Sequence, residues 1–218
     1  MRDRWFGRAM ARRLPGLLAG LVIVGAAIGL MARAGLGLSP WETFHQGISV
    51  RTGLPMGTVS ILLGIPILLL WIPLRARPGI GTLINIVLVG LVTNWVLSVV
   101  PPATWLPEQA LLFGLAIVGN AIGAGLYLAA DLGAGPRDGL FTALHHRTGV
   151  RIAWIRSAIE LGVLAAGWAM GATVGVGTII FAIAIGRLTE WSLGIFDKEG
   201  RVMRRRAAAE DAIPEGAA

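Results

Sequence analysis

Six stretches of about twenty apolar residues constrain this chain more than any other feature. They run Leu14–Ala32, Leu54–Leu74, Gly79–Val100, Gln109–Ala130, Ile152–Gly171 and Val174–Phe196. About 20 apolar residues in a helix cross roughly 30 Å of hydrocarbon. The runs are too long for strands and lack period-two alternation. The first four hold no charged residue, the fifth holds Arg156 and Glu160, and the sixth holds Arg187 and Glu190. Only 14% of the 218 residues are charged, too few to coat a soluble domain, where about a quarter are. With a mean hydropathy of +0.73, the solvent is largely lipid. Pro66 and Pro73 predict a kinked or frayed second helix. Cysteine is absent, which excludes disulfides and thiolate chemistry.

The formal charge of +7 reads as topology. Basic residues gather in a 1–13 tail, at Arg75 and Arg77, at Arg137, Arg147 and Arg151, and from Lys198 to Arg206, all on one side of a six-span arrangement. The other side holds only Arg33 and Arg51. Arginine marks the cytoplasmic side, so both termini are expected there, with the chain in the inner membrane. Arginines split among membrane-end loops do not make a nucleic-acid surface. Ala32-Arg33-Ala34 fits a signal-peptide cleavage pattern, but the preceding apolar run is too long, and the internal repeat needs it as a permanent helix.

That repeat has an offset of 96. Ala34–Trp95 aligns with Ala130–Trp191 without a gap, with 16 identities over 62 positions. The informative matches are Gly37 with Gly133, Pro40 with Pro136, Arg51-Thr52-Gly53 with Arg147-Thr148-Gly149, Gly79-x-Gly81-Thr82 with Gly175-x-Gly177-Thr178, and Gly90-x-x-Thr93-x-Trp95 with Gly186-x-x-Thr189-x-Trp191. Glu42 corresponds to Asp138. Three spans per copy, an odd number, invert the second copy, an arrangement that recurs in secondary transporters. The expected fold is all-α: a polytopic membrane protein of two inverted three-helix repeats, 14–100 and 101–196, with a short non-spanning helix after each first span. The 197–218 segment reads as a disordered cytoplasmic tail.

The short helices carry the densest motif. Ser39 suits an N-cap, Pro40 the first helical position, and Glu42 the far side of a capping box, with Gly53 as the stop. The predicted helix, Pro40–Arg51, is about 18 Å long, too short to span. Trp41, Phe44 and Ile48 share a face, while Glu42, His45 and Gln46 fall on others. The second copy, Pro136–Arg147, has Gly135 in place of the cap, then Arg137 and Asp138. Two readings stand: an amphipathic helix at each interface with its acid completing the cap, or a re-entrant element lining a cavity. On the second, Gly37 and Gly133 let the backbone approach a ligand closely.

The run Gly35-Leu-Gly-x-Ser39-Pro40-Trp41-Glu42, the later Arg-Pro-Gly-x-Gly-Thr at 77–82, Asn85 and Gly90 resemble the YczE-type bacterial integral membrane proteins, related to the YitT group. In the second half, Gly135-Pro136-Arg137-Asp138-Gly139 and His-Arg-Thr-Gly at 146–149 are similar to actinobacterial members. The resemblance covers about residues 14–196, and Glu42 stands where the family commonly has Asp. It implies a polytopic inner-membrane protein and supplies no substrate or catalytic set.

Polar residues within spans complete the candidates. Glu160 falls near the centre of its helix, where a charge costs about 2.5–3.5 kcal/mol, and Arg156 one turn earlier is placed to pair with it. The pair either orients its helix or supplies an ion-coupling carboxylate. Asn85 and Asn120 read first as interhelical hydrogen-bond partners and second as ligands. Gly16-x-x-x-Gly20, Gly25-x-x-x-Gly29 and Gly119-x-x-x-Gly123 read as intrachain packing faces, which would equally serve a homodimer. His45, His145 and His146 lack metal-ligand spacing, and no nucleophile elbow or phosphate loop is present, so neither a metal, a cofactor nor an enzyme is expected. The leading expectation is a secondary-transporter-like protein moving a small solute or ion, with sites at Gly37, Ser39, Pro40, Glu42, His45, Asn85, Gly133, Pro136, Arg137, Asp138, Arg156 and Glu160. The alternative is a non-transporting accessory protein supporting a partner complex.

Overall fold

The computed structural model describes residues 8–76, 78–133, 135–198, 200, 202 and 204. Eight helices follow in order among them: α1 Arg8–Ala34, α2 Pro40–Thr52, α3 Met56–Trp71, α4 Ile80–Val99, α5 Leu106–Ala129, α6 Pro136–Thr148, α7 Ile152–Ala169 and α8 Val176–Phe196. Five of them, α1, α4, α5, α7 and α8, are long and apolar enough to cross a membrane. The second expected span is shorter than the sequence suggested. α3 has 16 residues, about 24 Å, because Pro55 precedes its first turn and a turn over Ile72–Arg75 ends it. Pro66 lies inside α3 without ending it. Joined to α2 across a bend of 112°, α3 makes a sixth candidate span. α1 begins at Arg8, so part of the expected 1–13 tail is helical and the rest lies outside the described residues. At the other end, Asp197 is buried and its Oδ2 accepts from the Val202 backbone N–H at 2.8 Å. The expected disordered tail therefore starts as a folded turn; beyond Arg204 it lies outside the described residues.

The centre of the molecule is α1 against α5, flanked by α4 on α1 and α8 on α5. Close approach is a matter of glycine. A Cβ on Gly20 would sit 2.6 Å from the Gly123 carbonyl oxygen, and one on Gly25 would sit 2.8 Å from that of Val89. All three small-residue motifs thus pack within the chain, through Gly20, Gly25 and Gly123, whereas Gly16 meets nothing. The core around them contains Leu17, Leu21, Met31, Leu38, Phe113 and Ala116.

Contacts in the first half recur in the second at the 96-residue offset. Gly81 N–H donates to Leu132 O at 3.0 Å, and Gly177 N–H to Leu36 O at 2.8 Å. Gly37 abuts Gly175 and Thr178, as Gly133 abuts Gly79 and Thr82. Left-handed backbone recurs too: Gly35, Gly37, Gly53 and Arg75 match Asp131, Gly133, Gly149 and Gly171. Arg51 donates to the Ala169 and Met170 carbonyls at the end of α7, and Arg147 to that of Pro73 after α3. Those two arginines satisfy orphan carbonyls at helix ends.

Candidate functional site

Ser39 caps α2 as expected, its Oγ accepting from the Glu42 N–H at 3.5 Å. Glu42, however, does not turn back to complete a box. Its carboxylate accepts 3.1 and 3.0 Å bonds from both Nη atoms of Arg137, and a 2.6 Å bond from the Ser39 hydroxyl. Such a fork-to-fork geometry is the strong form of an ion pair. It joins the N-termini of α2 and α6, the short helices of the two halves. Arg137 also lies over the Trp41 ring, 5.0 Å from its centroid. Trp41 and Arg137 are equivalent positions in the repeat, so equivalent residues of the two halves stack on each other.

α2 does not bury a single apolar stripe. Trp41, Glu42, Thr43, His45 and Gly47 are buried, while Phe44 and Ile48 are only half-buried. The apolar stripe failed as a guide because α2 is enclosed on several sides: by α3, by α7 through Gly47 and Gly167, and at its start by α6. In α6, Gly139 is pressed on Trp71, whose indole N–H donates to Pro136 O at 3.1 Å.

These helix starts form one wall of a cavity of about 490 Å³. Ten of the twelve expected site residues line it: Ser39, Pro40, Glu42, His45, Asn85, Pro136, Arg137, Asp138, Arg156 and Glu160. Gly37 and Gly133 do not. Their glycine character serves the approach to the starts of α8 and α4, at φ values of 126° and 135°, so the expectation that they admit a ligand is corrected. His45 Nδ1 lies 3.9 Å from Glu42 Oε1, apart from His145, whose ring nitrogen contacts Val150 O.

On α7, Arg156 Nε donates to Glu160 Oε1 at 2.8 Å, and its guanidinium stands 5.9 Å from the Phe141 ring centroid. The pair borders the cavity, with Arg156 exposed and Glu160 half-buried. Asn85 and Asn120 line the same space, and neither amide has a hydrogen-bond partner among the described residues. The interhelical amide is instead Asn94, which accepts from Gly57 N–H at 2.7 Å and donates to Thr58 Oγ1 at 3.0 Å. The spacing of polar residues could not separate them, because all three lie inside apolar helices. Glu190, Tyr127 and Phe141 also line the cavity and were not anticipated. Glu190 was legible, being the repeat equivalent of Asn94.

The two halves differ in how their last two helices meet. Gly57 and Gly64 seat α3 on Gly90 and Ile86 of α4. No comparable packing joins α7 to α8. Gly186, the counterpart of Gly90, has nothing within 4 Å of where its Cβ would lie, and the counterpart of Gly64 is Glu160. The cavity wall is sealed between α3 and α4 and parted between α7 and α8.

A family of unknown function, DUF6198, matches residues 11–193. The chain belongs to the DUF6198 family. Relatives of this DUF6198 protein include an uncharacterized protein of Haemophilus influenzae, 37% identical over 82% of each chain. The uncharacterized membrane protein YczE of Bacillus subtilis is 36% identical over 90% of this chain and 93% of its own. YyaS, an uncharacterized protein of the same organism, is 24% identical over 86% and 95%. The YczE-type resemblance therefore holds, and a relative named as a membrane protein together with five helices long and apolar enough to cross a bilayer points to a multi-pass membrane protein. No solved structure matches this DUF6198 chain.

Proposed function

We propose that the protein is a secondary-transporter-like carrier of a small solute, working by alternating access between two inverted repeats. The observation that carries this is the Glu42–Arg137 pair at the wall of the central cavity. In the topology read from the arginines, α2 follows an outward-going span and α6 an inward-going one. Their starts meet only if both short helices dip into the bilayer from opposite faces. Broken helices meeting at a midplane cavity are how inverted-repeat transporters build solute sites.

The unequal contacts support one further step. With both termini in the cytoplasm and the chain in the inner membrane, Gly57, Gly90 and Asn94 belong to the outer half of the protein, and their counterparts Ala153, Gly186 and Glu190 to the cytoplasmic half. The sealed α3–α4 contact then closes the outside, and the parted α7 and α8 open the inside. Exchange of these two arrangements would carry solute across, without an enzymatic step.

The test is purified protein in liposomes under imposed proton or sodium gradients, screened with amino acids, amines, sugars and carboxylates, alongside Glu160→Gln. Gradient-dependent uptake that the variant diminishes supports the reading. No flux of any screened solute, together with a Glu160→Gln protein that complements a deletion strain fully, overturns it.

A further inference from the structure

The charges around the cavity do not cancel. Four carboxylates line it, on Glu42, Asp138, Glu160 and Glu190, against two guanidinium groups. Both guanidinium groups are engaged, Arg137 with Glu42 and Arg156 with Glu160. Asp138 and Glu190 have no cation within ion-pair distance among the described residues. Asp138 Oδ2 lies 3.4 Å from the Tyr127 hydroxyl, and a carboxylate keeps further lone pairs beyond one such bond. An excess of negative charge beside low-dielectric helices concentrates cations.

The wall also says which kind of cation. The rings of Trp41 and Phe141 already hold the guanidinium groups of Arg137 and Arg156 over their faces, which leaves the charge of an occupant to the carboxylates. Trp41 is buried, at 8% exposure, and its indole N–H has no acceptor among the described residues. Asn85 and Asn120 line the cavity with unpartnered amides, whose N–H groups are placed to donate to an acceptor oxygen on an occupant. A bare metal cation asks for something else, several converging oxygen ligands. No three of the His, Asp and Glu side chains among the described residues converge in that way, and about 490 Å³ falls in the range of organic-ligand pockets.

We propose that the cavity binds a small organic cation that also carries a hydrogen-bond acceptor, with Asp138 and Glu190 taking its charge. The inference rests on the reading of this cavity as the solute site. Its test is equilibrium binding, which needs no transport. Purified full-length protein in detergent would be titrated calorimetrically with choline and ethanolamine. The neutral choline isostere 3,3-dimethyl-1-butanol and the anion succinate serve as comparisons. At least one cation binds saturably, and the neutral and anionic compounds bind at least about tenfold more weakly. Asp138→Asn and Glu190→Gln each weaken the cation about tenfold, the loss of one charged hydrogen bond. Glu190→Asp retains most of the affinity, and Glu108→Gln in the first turn of α5 leaves it unchanged. Circular dichroism and gel filtration report whether each variant is folded.

Binding of succinate in preference, no binding of any cation, or unaltered affinity in folded Asp138→Asn and Glu190→Gln overturns the proposal. The two readings fail separately. Cation binding without liposome flux removes transport and keeps the site, whereas flux of an anion or neutral solute does the reverse.

Discussion

Replacing Arg137 by Met should destabilise the protein far more than replacing both Arg137 and Glu42. The Glu42 side chain is 4% exposed and that of Arg137 28%. Arg137→Met removes both guanidinium bonds and leaves a buried carboxylate with the Ser39 hydroxyl and its own cap. Breaking a buried pair from one side costs about 3–5 kcal/mol, and the partial exposure of Arg137 points to the lower end, about 3 kcal/mol. Glu42→Gln combined with Arg137→Met replaces the pair by groups of similar volume and leaves no charge behind, at a cost of about 1 kcal/mol. The coupling between the two sites is then about 2 kcal/mol or more, within the range for residues in direct contact. At about 2–4 °C per kcal/mol for a chain of this size, Arg137→Met lowers the midpoint of thermal unfolding in detergent by about 6–12 °C. The double variant recovers most of that. If the double variant unfolds at the sum of the two single effects, the pair does not hold α2 to α6 and the reasoning fails.

Other substitutions separate packing from the site. Gly37→Ala and Gly133→Ala place a Cβ 2.6 Å from Thr178 Oγ1 and 2.9 Å from Thr82 Oγ1, at φ values of 126° and 135° that L residues avoid; both should lose folded yield on gel filtration, while Gly16→Ala, facing open space, should not. Asn94→Ala should cost about 1–2 kcal/mol by losing two interhelical bonds, read as a lower unfolding midpoint, whereas Asn85→Ala and Asn120→Ala should leave the midpoint within about a degree or two. Arg51→Ala and Arg147→Ala should destabilise by similar amounts, about 1 kcal/mol each, since they do the same work at the ends of α7 and α3.

Much of the fold was legible because membrane helices write their length directly into the sequence. The ends were harder. Pro55 and the turn at Ile72–Arg75 shortened α3, and neither interrupts the apolar run that defined the span. At the site, the cap geometry of Ser39 and Pro40 was readable because it is local. The partner of Glu42 was not, because Arg137 lies 95 residues away and spatial neighbours across a repeat leave no mark on spacing. Gly37 and Gly133 were rightly singled out as positions needing glycine, but glycine reports close approach without naming what approaches. Asn85 and Asn94 look alike in sequence, and only packing decides that one bridges helices and the other faces a cavity.

The absence of cysteine makes one measurement direct. Cysteines at Thr58 and Asn94, whose side chains touch at 3.0 Å, mark the closed α3–α4 contact. Cysteines at Trp154 and Glu190 mark the equivalent α7–α8 contact, parted in this structure. Each pair would be treated with a short bifunctional thiol reagent in native membranes, and both pairs would then be combined in one four-cysteine chain. Alternating access predicts that each pair links in its own variant and that no single chain carries both links. A Trp154–Glu190 pair that never links, or chains carrying both links at once, would contradict it.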